Sequence, residues 1–104
     1  MVQEVVRLRD DKLSVITKVE KLFSEKGWST VAVDEKAGRV TARTSATFLS
    51  WGEEVNVRVK PEEKGTLVFV ESHPTAQLID WGRSKENVST VLAFLKSSQN
   101  AANK

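Results

Sequence analysis

Residues Glu54–Lys60 read EVNVRVK, and their strict alternation is the feature that most constrains what this chain can fold into. Val55, Val57 and Val59 fall on one side, and Asn56, Arg58 and Lys60 on the other. That is the period of a half-buried strand, since a helix would scatter the same valines around its axis. The turn-forming Pro61–Gly65 follows, and then TLVFVES, rich in β-branched and aromatic residues with no breaker, so the pair reads as a hairpin. Upstream, STVAVDE and RVTARTSATFL flank Lys36-Ala37-Gly38, a hairpin loop with Gly where a positive φ is needed. Val31 and Val33 share one side of the first of these strands, and Val40, Ala42 and Thr44 one face of the second. Ser50-Trp51-Gly52 is the turn or bulge between the two hairpins. Four strands joined by short connections pack as antiparallel neighbours.

Two amphipathic helices bracket this series. Leu13, Val15, Ile16, Val19, Leu22 and Phe23 make one apolar stripe over Asp11–Lys26, with a carboxylate of Asp10 or Asp11 as N-cap and Gly27 as the stop. Val88, Val91, Leu92 and Leu95 repeat the pattern after Ser84. A short extended run, VQEVVRL, precedes everything. Each helix can bury only one stripe, so both are expected on the same face of one curved antiparallel sheet. The result is an α+β two-layer sandwich in the order β-α-β-β-β-β-α. The strand LVFVE alternates less cleanly than its partner, which points to partial cover on the outer face as well. Residues 1–96 form the single domain, and 97–104 a flexible polar C-terminal tail.

The balance of charge narrows the partners. Sixteen basic and 14 acidic residues leave a formal net charge of +2, so no strong overall field favours nucleic acid or anionic lipid. With no cysteine, disulfides, thiolate zinc sites and a cysteine nucleophile are excluded. No apolar run approaches the roughly 20 residues of a membrane span, and no signal-peptide core opens the chain. A cytoplasmic protein is the expectation, a segment removed before residue 1 being the exception.

Several of these pieces, in this order, resemble a known family. Trp28, Val33-Asp34, Gly38–Ala42, Glu54–Val59, Gly65–Val70 with Ser72, and Asp80-Trp81-Gly82 before the last helix look like the bacterial and plant-plastid domain of unknown function 1499. The resemblance covers roughly residues 28–95. That family's approach to its last helix is similar to an Arg- and Ser-rich run ending in Asp-x-Gly-x-Asn. Here Asp80 and Gly82 match, Ser84 stands at the Asn position, and His73, Pro74 and Gln77 replace much of the basic character. The resemblance implies the fold and no established activity. The strand–helix order is also like a TATA-binding-protein repeat or a reduced helix-grip domain, analogies of topology that leave function open.

Catalytic groupings are thin. His73 with Asp80 could form an acid–base pair or half a metal site, but His73 is the only histidine and further ligands are missing. Ser72 adjoins His73 on an extended chain, where neighbouring side chains point opposite ways. The chain therefore reads as a non-enzymatic binding module without cofactor or metal. Asp80-Trp81-Gly82-Arg83-Ser84 either caps the last helix and plugs the core, or presents Trp81 and Arg83 to a ligand. The connection 73–83 is long for its kind and brings His73, Asp80, Trp81 and Arg83 near one another. With Phe48 and Trp51 opposite, it would take up a partner protein or a small apolar ligand. The alternative is nucleic-acid or polyanion binding by Arg39, Arg43, Arg58 and Lys60 on the outer sheet face, diluted by Glu53, Glu54, Glu62 and Glu63.

Overall fold

The computed structural model describes residues 2–45, 52–75 and 82–102. Strands β1 (Val2–Leu8), β2 (Ser29–Asp34), β3 (Arg39–Arg43), β4 (Glu53–Glu62) and β5 (Gly65–Pro74) form one sheet in the order β1-β5-β4-β3-β2. All neighbours are antiparallel, so the first strand closes beside the last while β2 remains at the far edge. Helices α1 (Lys12–Glu25) and α2 (Arg83–Ala102) lie on one face, as the paired apolar stripes require. The element order and the two-layer architecture are those expected.

The alternation in β4 works as anticipated: Val55, Val57 and Val59 are buried with Val68 and Val70 of β5 and Val40 and Ala42 of β3. Val15, Ile16, Val19, Leu22 and Phe23 of α1, and Val88, Val91 and Leu95 of α2, close over them in a single cluster. Leu13 is the exception within its helix, at 58% exposure, because it lies in the first turn outside the helix's footprint on the sheet. Residues 67–71 of β5 alternate in burial, with Leu67, Phe69 and Glu71 half-buried on the outer side, the partial cover expected there.

The α1 termini behave differently from each other. Asp11 occupies the N-cap position with extended backbone but makes no capping hydrogen bond with its side chain; the nearby Ser14 hydroxyl holds its carboxyl below the usual carboxylate range. Asp10 instead anchors the helix laterally, pairing with Lys18 at 2.6 Å. At the other end Gly27 takes φ +73, where a side chain would be strained. This lets its N–H reach the Ser24 carbonyl at 3.0 Å and the Trp28 N–H reach the Phe23 carbonyl at 2.9 Å. The same reversal stacks the Trp28 ring against Phe23, with centroids 5.6 Å apart, the apolar contact that completes such a C-cap.

Three sequence expectations change. The pairing of β2 with β3 shifts register between Thr30 and Ala32, a bulge at Val31, and the whole strand is exposed, with Val31 at 54% and Val33 at 42%. Val33 lies on the core side, opposite the buried Val40, but β2 is the edge strand and its side chains stay in solvent. Strand β5 runs two residues further than TLVFVES, because β4 continues the ladder to Glu53↔Pro74. Helix α2 begins at Arg83 and continues through Ala102, beyond the Ser97 at which a tail was expected; serine, glutamine and alanine extend a helix that packing has already nucleated. Among the described residues no helix is long and apolar enough to cross a membrane.

Candidate functional site

The inner face of the sheet is apolar until its end nearest the start of α2. There the buried polar residues gather: Thr44, Glu53, Ser72, Ser84 and Asn87, with only Thr66 elsewhere among the described residues. Glu53 has the same parity as Val55, Val57 and Val59, so the pleat turns its carboxylate inward, and it is 4% exposed. Burying a carboxylate is costly unless donors surround it. Here Oε1 accepts from the Thr44 hydroxyl at 3.0 Å and from the Asn87 amide at 3.2 Å. The Asn87 amide also approaches Ser72 Oγ at 3.4 Å, and Ser72 donates to the Glu54 carbonyl at 2.9 Å. The network thus ties β4, β5, α2 and the residue just after β3 together through side chains.

Beside it opens a pocket of about 180 Å³, rimmed by Lys26, Trp28, Ser45 and Arg83 over the floor of Thr44, Glu53 and Asn87. The C-cap of α1 delivers Lys26 and Trp28 to this pole, and the first turn of α2 delivers Arg83. At the same end of the sheet Thr75 joins β5 to the start of β4, its N–H and hydroxyl both reaching the Gly52 carbonyl, at 3.2 and 3.0 Å. The described ends of the connections 46–51 and 76–81 therefore meet here.

The sequence-predicted residues divide between faces. Arg83 belongs to the pole pocket. His73 does not join it: it lies within β5, opposite Glu54, on the outer face. Its expected place in a loop is corrected by the length of the β4–β5 ladder. His73 Nδ1 lies 2.5 Å from Glu71 Oε1 and Nε2 lies 3.5 Å from Glu54. Asn56 bridges the same two carboxylates at 2.9 and 2.7 Å and accepts from Thr41 at 2.7 Å. His73 is therefore a cross-strand tie. His73→Ala should cost about 1 kcal/mol in a urea unfolding curve, the worth of a hydrogen bond to a charged group at a half-exposed site, and leave the pole pocket untouched. Phe48, Trp51, Asp80 and Trp81 lie outside the described residues. Ser84 is buried one residue inside α2, past the cap position, while Gly82 supplies the first helical carbonyl, to the Glu86 N–H at 3.2 Å. Among the described residues no cluster suited to a metal ion occurs.

The outer face separates into rows. Arg39 stands opposite Arg58, which stands opposite Phe69. The Arg58 guanidinium lies over the Phe69 ring, 4.7 Å from its centroid. Lys60 follows on β4, whereas Arg43 faces Glu54 at the other end. The four basic residues singled out in sequence thus do not form one patch: Arg39, Arg58 and Lys60 sit in a basic half, and Arg43 in an acidic one. The expected dilution changes too, because Glu53 points inward and Glu62 pairs with Arg7 at 3.0 Å.

Comparison of the sequence with protein-family models finds no match, and comparison with curated proteins finds none either. Solved structures do match in shape. The di-domain ARO/CYC StfQ from the steffimycin biosynthetic pathway superposes with a TM-score of 0.72 at 9% identity, over 99% of this chain and 46% of that one. This chain therefore spans less than half of StfQ. An uncharacterised protein from Bacillus thuringiensis gives a TM-score of 0.66 at 13% identity, covering 99% and 98% of the two chains. Ara h 8.0201 gives 0.65 at 10% identity, covering 96% and 95%. At such identities the likeness is one of fold, the helix-grip architecture, with an open sheet here.

Proposed function

We propose that this chain is a small binding module rather than an enzyme, and that it takes up an apolar-bodied small molecule carrying a polar group at the pole of the sheet–helix seam. The observation that carries this reading is the buried Glu53–Thr44–Asn87 network at the floor of the pocket rimmed by Trp28 and Arg83. Apolar side chains would seal that seam at lower cost, because a buried carboxylate rarely adds net stability. A few placed polar groups at the rim of an apolar interior are how binding sites orient a ligand. The pocket has the size of a head group, below the roughly 300–1,000 Å³ of a whole ligand site. The body of the ligand would be met by Phe48, Trp51 and Trp81, which adjoin the pole in sequence. The helix-grip likeness to an ARO/CYC protein is compatible with such a role and does not assign it.

Decanoate, whose carboxylate would meet Lys26 and Arg83 at the rim rather than Glu53 on the floor, is a suitable probe. On titration, the amide signals of Ser45, Gly52 and Arg83 and the Asn87 side-chain amide should shift, those of Lys36 and Lys60 should not. Arg83→Ala and Trp81→Ala should weaken binding with little change in the thermal melt. The proposal would be overturned by an absence of shifts at the pole. It would equally be overturned if Trp81→Ala unfolded the domain, as loss of a core Trp costs about 3–5 kcal/mol.

A further inference from the structure

We infer that the opposite end of the sheet carries a second site, one for a compact ligand bearing phosphate groups. A depression of about 420 Å³ there is lined by Lys12, Lys36, Arg58 and Lys60 around Val59 and Phe69, with no acidic residue in its wall. It adjoins a second depression of about 410 Å³, across the shared Arg58–Phe69 stack, in which Arg39 adds a fifth cation and Glu71 marks the far limit. Five cations thus meet in a chain whose total excess is two.

Two of these cations, Lys12 and Lys36, are brought together by backbone contacts. Gly38 brings the β2–β3 turn onto β4, where its carbonyl accepts the Val59 N–H at 2.6 Å. The same turn presents Lys36. Lys12 Nζ donates to the Lys36 carbonyl at 2.9 Å, fastening the first turn of α1 to it. Three nearby carboxylates are otherwise occupied: Asp34 accepts the Ala37 N–H at 2.9 Å, Glu62 pairs with Arg7, and Glu71 is engaged by Asn56 and His73. Arg39 and Arg58 stand directly opposite each other, an arrangement that lowers stability until an anion lies between them. Lysines supply point charges for phosphate oxygens, and the stacked guanidinium of Arg58 supplies a flat, bidentate donor.

Dimensions favour a small ligand over a nucleic acid. Past Arg39 and Arg58 the outer face turns acidic, at Glu71 and Glu54, so a long polyanion would run onto carboxylates one and two residue pairs further along that face. The site is independent of the pole pocket, since Glu53 and Lys60 are about 23 Å apart along β4 at the usual rise per residue.

Inorganic tripolyphosphate is the probe. Titrated into the full chain, it should shift the amide signals of Lys36, Arg58 and Lys60, leave those of Arg83 and Asn87 in place, and raise the melting temperature. The double variant Lys36→Glu/Lys60→Glu, whose side chains are exposed, should bind about tenfold more weakly or worse, the effect of reversing two nearby charges. Unfolding curves should show that variant folded and no less stable than the parent at low salt. A vesicle of phosphatidylcholine with phosphatidylinositol bisphosphate separates free phosphate from a lipid headgroup; tripolyphosphate should compete with either. The inference is overturned if tripolyphosphate causes no shift, or if the double variant binds it as the parent does. Single-stranded RNA held tightly at physiological salt, and not displaced by tripolyphosphate, would overturn it as well.

Discussion

Phe23→Ala is expected to destabilise the domain by about 3–5 kcal/mol, measured by urea unfolding, because it empties a fully buried aromatic site. The loss should also reach the pole pocket. Phe23 is the surface on which Trp28 rests, and the Trp28 N–H closes the C-cap on the Phe23 carbonyl. Decanoate binding should therefore weaken in this variant even at temperatures where it remains folded. Leu13→Ala in the same helix serves as contrast: at 58% exposure it should change stability by no more than about 0.5 kcal/mol. Equal costs for the two variants would mean that α1 packs through a different face.

Gly38→Ala is expected to cost about 2–4 kcal/mol, combining backbone strain with overpacking. Its φ is +73, and an added Cβ would lie 2.3 Å from the Val59 carbonyl oxygen and 3.1 Å from Lys12 Cε. Backbone cannot yield as a side-chain tip can, so the turn must lift from β4 and carry Lys36 with it. Tripolyphosphate affinity should fall together with stability. Gly27→Ala separates the two causes: the same φ of +73 meets no atom within 4 Å, so only strain, about 1–2 kcal/mol, should appear, with tripolyphosphate binding unchanged.

Much of the fold could be read from periodicity, because the inner face of each strand and the stripe of each helix are repeats that one core imposes on the sequence. The failures have local causes. Val33 keeps the inner phase, opposite the buried Val40, yet is exposed because β2 is the edge of the sheet, and strand order leaves no compositional mark. The connection was read as starting at His73, yet β4 is long enough to pair on to Pro74, and a proline is tolerated at a strand end, so His73 is a sheet residue. For the pole pocket a signal was present: Glu53 shares the parity of the three β4 valines, and an acidic residue in a buried phase marks a site. Arg83 was found by its place at the start of the helix, whereas Trp28 and Thr44 come from two distant connections and Asn87 from the next turn of α2. The basic end was harder to see. Lys12 and Lys36 are 24 residues apart and meet only because the β2–β3 turn folds back under α1.

The bulge at Val31 also bears on what the chain does in company with itself. Because the first and last strands in space, β1 and β2, do not meet, the sheet keeps two rims of unused backbone groups. The β2 rim is the hazardous one, with Val31 and Val33 both in solvent. A flat valine-rich rim is a template for adding another chain strand by strand, the first step toward fibrous assembly. The extra residue breaks the even spacing of donors and acceptors there and increases the local twist, so an incoming strand can match only a few bonds before losing register. A single extra residue in β2 thus guards an open sheet against polymerisation.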